Sequence, residues 1–162
     1  MGRLAVMDRD PLVRRASPDD AASIAALYAD FLRTYGHEAE PAPILRFLIR
    51  MLAAEWTRFF VAVNAYGTFM GFAGCVLSYS AVDQSGALVI NDFYVDVPFR
   101  RLGVGLKLCR AVERCAVELG ATRIFLAADP DMEAALSLYR KAGFEVMPYR
   151  SMTRVLPDAR DR

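Results

Sequence analysis

The segment Val95-Asp96-Val97-Pro98-Phe99-Arg100-Arg101-Leu102-Gly103-Val104-Gly105-Leu106 constrains this chain more than any other. A strand-like run ends there, Pro98 and two glycines make a tight turn, and a helical stripe of Leu108, Val112, Cys115 and Leu119 follows at once. A strand opening directly into a helix implies layered α and β structure, with the helix N-terminus at the strand end. The first amide N–H groups of such a helix have no internal partner, and its macrodipole adds about half a positive charge. Gly103 and Gly105 let the backbone approach a ligand oxygen, while Arg100, Arg101, Lys107, Arg110 and Arg114 concentrate cations nearby. These features predict a site for phosphate groups. There is no third glycine at dinucleotide spacing and no G-K-S/T, which disfavours dinucleotide-binding and NTPase loops.

The flanking pattern extends the layered reading. Leu12 to Ala16 reads as a strand, and Ser17-Pro18-Asp19-Asp20 supplies an N-cap, a proline at the first helical position and early acids. The helix that follows carries Ile24, Leu27, Tyr28, Phe31, Leu32 and Tyr35 on one face and ends at Gly36. A second helix is predicted from about Pro43, with Ile44, Phe47, Leu48 and Met51. Phe59–Val63, Phe69–Tyr79 and Leu88–Val97 then alternate as strands, separated by Asn64–Gly67 and Asp83–Gly86. After the helix to Gly120 come a strand at Ile124–Ala127, a helix striped by Met132, Ala135, Tyr139 and Ala142, and a terminal strand pair at Phe144–Met147 and Met152–Val155. The expected order is β-α-α-β-β-β-α-β-α-β-β. This is an α+β, three-layer fold with a mixed, mainly antiparallel sheet of about seven strands flanked by four helices.

The length of 162 residues, 55% of them apolar, fits a single domain over 1–162, with a core at about 12–155 and short flexible ends. Lys and Arg number 20 against 19 Asp and Glu, a net charge of +1 that argues against nucleic acid or an anionic membrane as partner. Cys75, Cys109 and Cys115 lack C-x-x-C spacing, so neither a disulfide framework nor a metal cage is expected. The N-terminal residues contain no long apolar stretch, and no apolar run reaches the length of a membrane span, so the cytoplasm is the expected compartment.

Arg100-Arg101-Leu102-Gly103-Val104-Gly105 resembles the Q/R-x-x-G-x-G/A pyrophosphate loop of the GNAT superfamily of acyl-CoA-dependent N-acyltransferases. Ile90 to Pro98 is similar to that family's fourth strand, and Ala135 to Phe144 to its A-x-x-L/F-Y-x-x-x-G-F ending. The resemblance runs from about Leu12 to Val155. It implies acetyl-CoA as co-substrate, no metal, and a wedge between the fourth and fifth strands that receives the pantetheine arm as an added strand. Backbone groups of Phe93, Tyr94 and Val95 would pair with that arm, and amides from Arg101, Leu102, Gly103, Val104, Gly105 and Leu106 would hold the pyrophosphate. Where the family often carries Asn, seven residues before the tyrosine, this chain has Met132, with Asp129 and Asp131 beside it.

Acetylating an amine requires a neutral nitrogen and a proton for the departing thiolate, because an aliphatic amine has a pKa of about 10.4 and a thiol about 8.5. By resemblance Tyr139 is the general acid; by spacing alone it is a member of its helix stripe. Asp92 and Asn91 precede the acyl-binding stretch on a strand whose residues alternate sides, so one of the two faces the cleft. Asp92 is the candidate base or a substrate contact, Asn91 and Tyr35 are substrate contacts, and Glu55 and Asp96 are weaker bases. His37 reads as a loop residue, Phe31 and Trp56 as core or acceptor-pocket aromatics, and Cys109 and Cys115 as buried small hydrophobes rather than nucleophiles. A small-molecule amine, polyamine-like or an amino sugar or amino acid, is the expected acceptor, and the family is compatible with a homodimer. The alternatives are a protein N-terminal or lysine acetyltransferase and a non-catalytic acyl-CoA-binding regulatory domain.

Overall fold

The computed structural model describes residues 11–148, 152–154 and 156. Its elements are β1 (Leu12–Arg15), α1 (Ala21–Thr34), α2 (Pro41–Ala53), β2 (Thr57–Val63), β3 (Phe69–Ser80), β4 (Ser85–Val95), α3 (Val104–Glu118), β5 (Ala121–Leu126) and α4 (Glu133–Lys141). The sheet order is β1-β2-β3-β4-β5, antiparallel through β4 and parallel between β4 and β5. The helix α3 makes the crossover that a parallel pair requires.

The expected start at Ser17 is a single 3-10 turn, Pro18–Asp20, and α1 follows it. Asp20 anchors this corner. Its carboxylate accepts from both terminal nitrogens of Arg14, at 2.7 and 2.8 Å, and from the Ser17 backbone N–H at 2.8 Å. The Arg14 guanidinium, with the Ser17 bonds, brings the Asp20 pKa down to about 2 despite burial.

The sheet separates two cores. On the α3 side Leu88, Ile90, Ala73 and Cys75 pack with Val104, Leu108 and Val112. On the α1–α2 side Phe59, Phe72 and Tyr94 meet Ile24, Leu27, Tyr28 and Leu48. The second core buries four aromatic rings, Tyr28, Phe59, Phe72 and Tyr94, where the first buries one, Phe60.

Five strands are found among the described residues, not about seven. Phe144–Met147 forms no strand, because its apolar pattern supplies one inward contact instead of two. Phe144 packs on Tyr139 with ring centroids 5.8 Å apart, whereas Val146 is 82% exposed, and Pro148, which has no N–H, follows. Met152–Arg154 has no regular structure, and the remainder of that predicted strand, Val155, lies outside the described residues.

One irregularity in β4 determines which side chains reach the site. Gly74 lies opposite Asp92 and Cys75 opposite Ile90, so Asn91 is an extra residue, a β-bulge. Leu88 and Ile90 face α3 before it, and Phe93 and Val95 face α3 after it. Even positions therefore point to α3 before the bulge and odd positions after it, which turns Asp92 and Tyr94 toward α1. Gly74 makes room for this arrangement, since a Cβ there would lie 2.7 Å from the Phe59 ring and 3.0 Å from an Asp92 carboxylate oxygen.

Candidate active site

The bulge also divides β4 into a closed half and an open half. β5 pairs with Gly86 to Ile90 and with nothing beyond, so from Asn91 to Val95 the edge turned away from β3 is uncovered by any described strand. The Asp96 N–H bonds to the Met70 carbonyl at 3.0 Å, and the alternation of an antiparallel ladder then turns the backbone of Tyr94 to β3 and those of Phe93 and Val95 to the open edge. The Val95 carbonyl accepts from Arg100 Nε at 2.9 Å, in keeping with this. The open edge ends at the α3 N-terminus.

At that N-terminus Gly103 is the cap residue, with φ +81°, and a Cβ there would meet no heavy atom within 4 Å. Arg101 is also left-handed, at φ +62°. The first helical bond to the Gly103 carbonyl comes from the Lys107 N–H at 3.1 Å, which leaves the N–H groups of Val104, Gly105 and Leu106 ahead of the helical ladder. Gly105 has a different task from the one its spacing suggested. It is buried, and a Cβ there would lie 2.7 Å from Leu138 Cδ2, so its missing side chain lets α4 dock on α3.

The cations are more dispersed than their spacing suggests. Arg100 turns back to the strand, its guanidinium carbon 5.6 Å from the centroid of the Tyr94 ring. Lys107 Nζ donates to the Pro11 carbonyl at 3.4 Å. Arg114 lies about 15 Å along α3 from its start, beside Arg15 and Arg58, and Arg110 faces the groove under α4. Exposed Arg101 remains on the loop itself.

The two candidate proton carriers flank the open edge from opposite faces. On the α3 face Tyr139 is wedged between Phe93 and Phe144, at centroid separations of 5.7 and 5.8 Å. Burial, then Cys109 and Tyr35, push its phenol well above the ordinary range, so it keeps its proton at neutral pH. On the α1 face Asp92 Oδ1 accepts from Tyr28 Oη at 3.1 Å. Burial raises the Asp92 pKa and the Tyr28 bond partly offsets it, while the Tyr28 phenol is itself held protonated by burial and by Asp92. Asp92 Oδ2 has no protein hydrogen-bond partner among the described residues.

Tyr28 was legible only as a core residue of its helix stripe. A tyrosine in such a stripe must still place its hydroxyl, and that is the signal which points to a buried partner. Asn91 occupies the bulge and is exposed. Tyr35 is 52% exposed at the end of α1, its ring 5.2 Å from Phe31. His37 and Glu55 are exposed away from the pair, and the Asp96 carboxylate accepts from the Val97 N–H at 2.7 Å. Met132 caps α4, its carbonyl accepting from the Ala135 and Leu136 N–H groups. Burial raises the thiols of Cys75 to about 12 and of Cys109 to about 11, so neither is a thiolate at neutral pH. Among the described residues no group of His, Cys, Asp and Glu could hold a metal ion, and no helix is long and apolar enough to cross a membrane.

The chain and its fold resemble known proteins. The chain is 28% identical over 133 residues to YhfO of Bacillus subtilis (strain 168), named as an uncharacterized N-acetyltransferase, covering 82% of this chain and 89% of that one. The fold superimposes on the aminoglycoside acetyltransferase meta-AAC0020 from an uncultured soil metagenomic sample, solved with trehalose. The TM-score is 0.77 at 21% identity, covering 92% of this chain and 99% of that one. The ribosomal-protein-alanine N-acetyltransferase of Brucella melitensis biovar Abortus 2308 has the same fold, with a TM-score of 0.75 at 18% identity over 91% of this chain and all of that one. These two structures support the fold and differ in what they acetylate. The model of the acetyltransferase (GNAT) family matches residues 24–144, from α1 through α4, and the chain belongs to that family of transferases.

Proposed function

We propose that this enzyme transfers the acetyl group of acetyl-CoA directly to the primary amine of a small molecule. The observation that carries the proposal is the placement of Asp92 and Tyr139 on opposite faces of one uncovered strand edge. The residues present fit acetyl-CoA: the edge offers the backbone groups of Phe93 and Val95, and the N–H groups of Val104, Gly105 and Leu106 with left-handed Gly103 form an open cradle for a pyrophosphate. When bound, acetyl-CoA supplies an acetyl group activated as a thioester.

The chain's own residues carry out the rest. Asp92 Oδ2, on the α1 face, takes the proton an acceptor ammonium must lose, while Tyr28 holds the other carboxylate oxygen in place. Tyr139, held protonated by partial burial, donates to the sulfur from the α3 face. Phe93 and Phe144 bracket its ring and exclude water from that side. High thiol pKa values argue for direct transfer without a cysteine intermediate.

The test incubates the protein with acetyl-CoA and an amine panel while free thiol is followed. Amine-dependent thiol release is expected. Tight CoA binding with no release across the panel would identify a regulatory acyl-CoA-binding domain, and activity confined to peptide amines would make the acceptor a protein.

A further inference from the structure

We infer that the acceptor is a monoamine carried on an apolar, ring-bearing body, with its amino group at Asp92 and its ring against Tyr35 and Phe31. The inference rests on the amine-acetylating reading above and names the substrate class.

The carboxylates on the α1 side of the sheet are largely committed. Asp30 is paired with Arg33, Asp20 with Arg14, and the Asp96 carboxylate accepts from the Val97 N–H. Asp92 alone faces α1 from the open half of β4, with one oxygen unpartnered. That arrangement accommodates one ammonium group. A polycation would have to desolvate further ammonium groups with no carboxylate beside them. Glu38 and Glu40 are exposed in the loop between α1 and α2.

The surroundings of Asp92 are aromatic. Phe31 contacts Tyr28, Phe72, Tyr94 and Tyr35 with centroid separations of 5.2–6.2 Å, each pair edge-on. Tyr28, Phe72 and Tyr94 are buried, Phe31 is half-buried and Tyr35 is half-exposed. The rings thus form a continuous ladder from the wall behind the carboxylate to the protein surface. Its outer rung, Tyr35, stands at the C-terminal end of α1, where the ladder reaches the surface. A half-exposed ring continuous with a buried aromatic cluster offers apolar surface to a substrate, and aromatic pairs favour this offset, edge-on geometry.

The experiment measures kcat/KM of the full chain with acetyl-CoA for 2-phenylethylamine, 1,4-diaminobutane, glucosamine and an alanine-terminated hexapeptide. Phenylethylamine is expected to exceed each of the others by about tenfold or more, the range an apolar pocket discriminates. In Tyr35→Ala that preference over diaminobutane should shrink by about tenfold, with folding checked by thermal melting and Tyr35→Leu used if the alanine variant unfolds. Equal or better turnover of diaminobutane, glucosamine or peptide overturns the acceptor class while leaving the acetyltransferase intact. An unchanged preference in the Tyr35 variants overturns the ring contact. Calorimetry with CoA alone separates the two levels: CoA binding without turnover of any amine counts against the acceptor class, whereas failure to bind CoA would remove the catalytic reading beneath it.

Discussion

The two halves of β4, small and aliphatic up to Ile90 and polar and aromatic after it, have opposite fates. From Gly86 to Ile90 the strand is paired on both edges and its inward side chains, Leu88 and Ile90, are almost fully buried against α3. From Asn91 to Val95 it keeps β3 on one edge, loses β5 on the other, and holds a carboxyl group in a partly buried position. The closed half stabilises, and the open half is where we propose that the reaction takes place. A sheet edge normally invites unwanted pairing, and here it is short, bulged and flanked by aromatic rings.

Breaking the closed half should have the largest effect. Leu88→Ala leaves a cavity between the sheet and α3 and should cost about 3 kcal/mol of stability, within the usual range for buried leucine. Chemical denaturation measures this, and a loss below about 1 kcal/mol would mean the closed half is not the anchor. At the loop where the open edge ends, Gly103→Asp adds a negative side chain where a Cβ meets nothing but at a left-handed φ that costs about 1 kcal/mol, so the fold loosens slightly while CoA affinity falls about a hundredfold by calorimetry. An affinity within threefold of wild type would move the pyrophosphate elsewhere. Tyr139→Phe keeps both ring contacts and removes the proton, so kcat should fall by about a hundredfold with little change in CoA binding. An unchanged kcat would return Tyr139 to the core.

Asp92→Asn sharpens the contrast, because it should cost activity and add stability. An acid whose pKa is raised by folding binds its proton more tightly in the folded chain, so stability declines as pH rises from the ordinary carboxylate value through the raised one. Removing the charge removes that decline. The variant should lose about tenfold or more in kcat/KM yet melt above wild type at pH 7, with the difference closing by about pH 3. A lower melting temperature at pH 7 would show that the carboxylate is structurally required. The smallest effect is expected at the edge of the fold: Asp20→Ala removes the corner anchor and costs about 1 kcal/mol at neutral pH. Because the folded Asp20 pKa is lowered to about 2, that contribution is present above the unfolded value near 4 and disappears as pH falls toward 2.

The elements up to α4 were legible because each depends on local chemistry. Gly36, Gly103, Gly120 and Gly143, which mark helix ends in the pattern, all take positive φ. The terminal strand pair was not legible, since four residues with one inward contact look like a strand until the neighbours are known. Within the site, the strand and the loop followed from spacing and Tyr139 from the family resemblance, but the partners did not. The sequence does not show that Gly105 yields its space to Leu138, that Arg100 folds back onto Tyr94, or that Tyr28 holds Asp92, sixty-four residues away. Such contacts depend on which face each residue takes, and in β4 that is decided by the bulge.

Asn91 therefore acts as a change of phase. Before it one alternation applies and after it the other, and the site exists only where the two meet. Substitutions along the open half alter one side chain at a time, whereas pairing Asn91 in regular register would exchange the environments of Asp92 and Phe93, placing a carboxyl group in the core against α3 and a ring toward α1. The register of this strand is accordingly under tighter constraint than the identity of most residues in it.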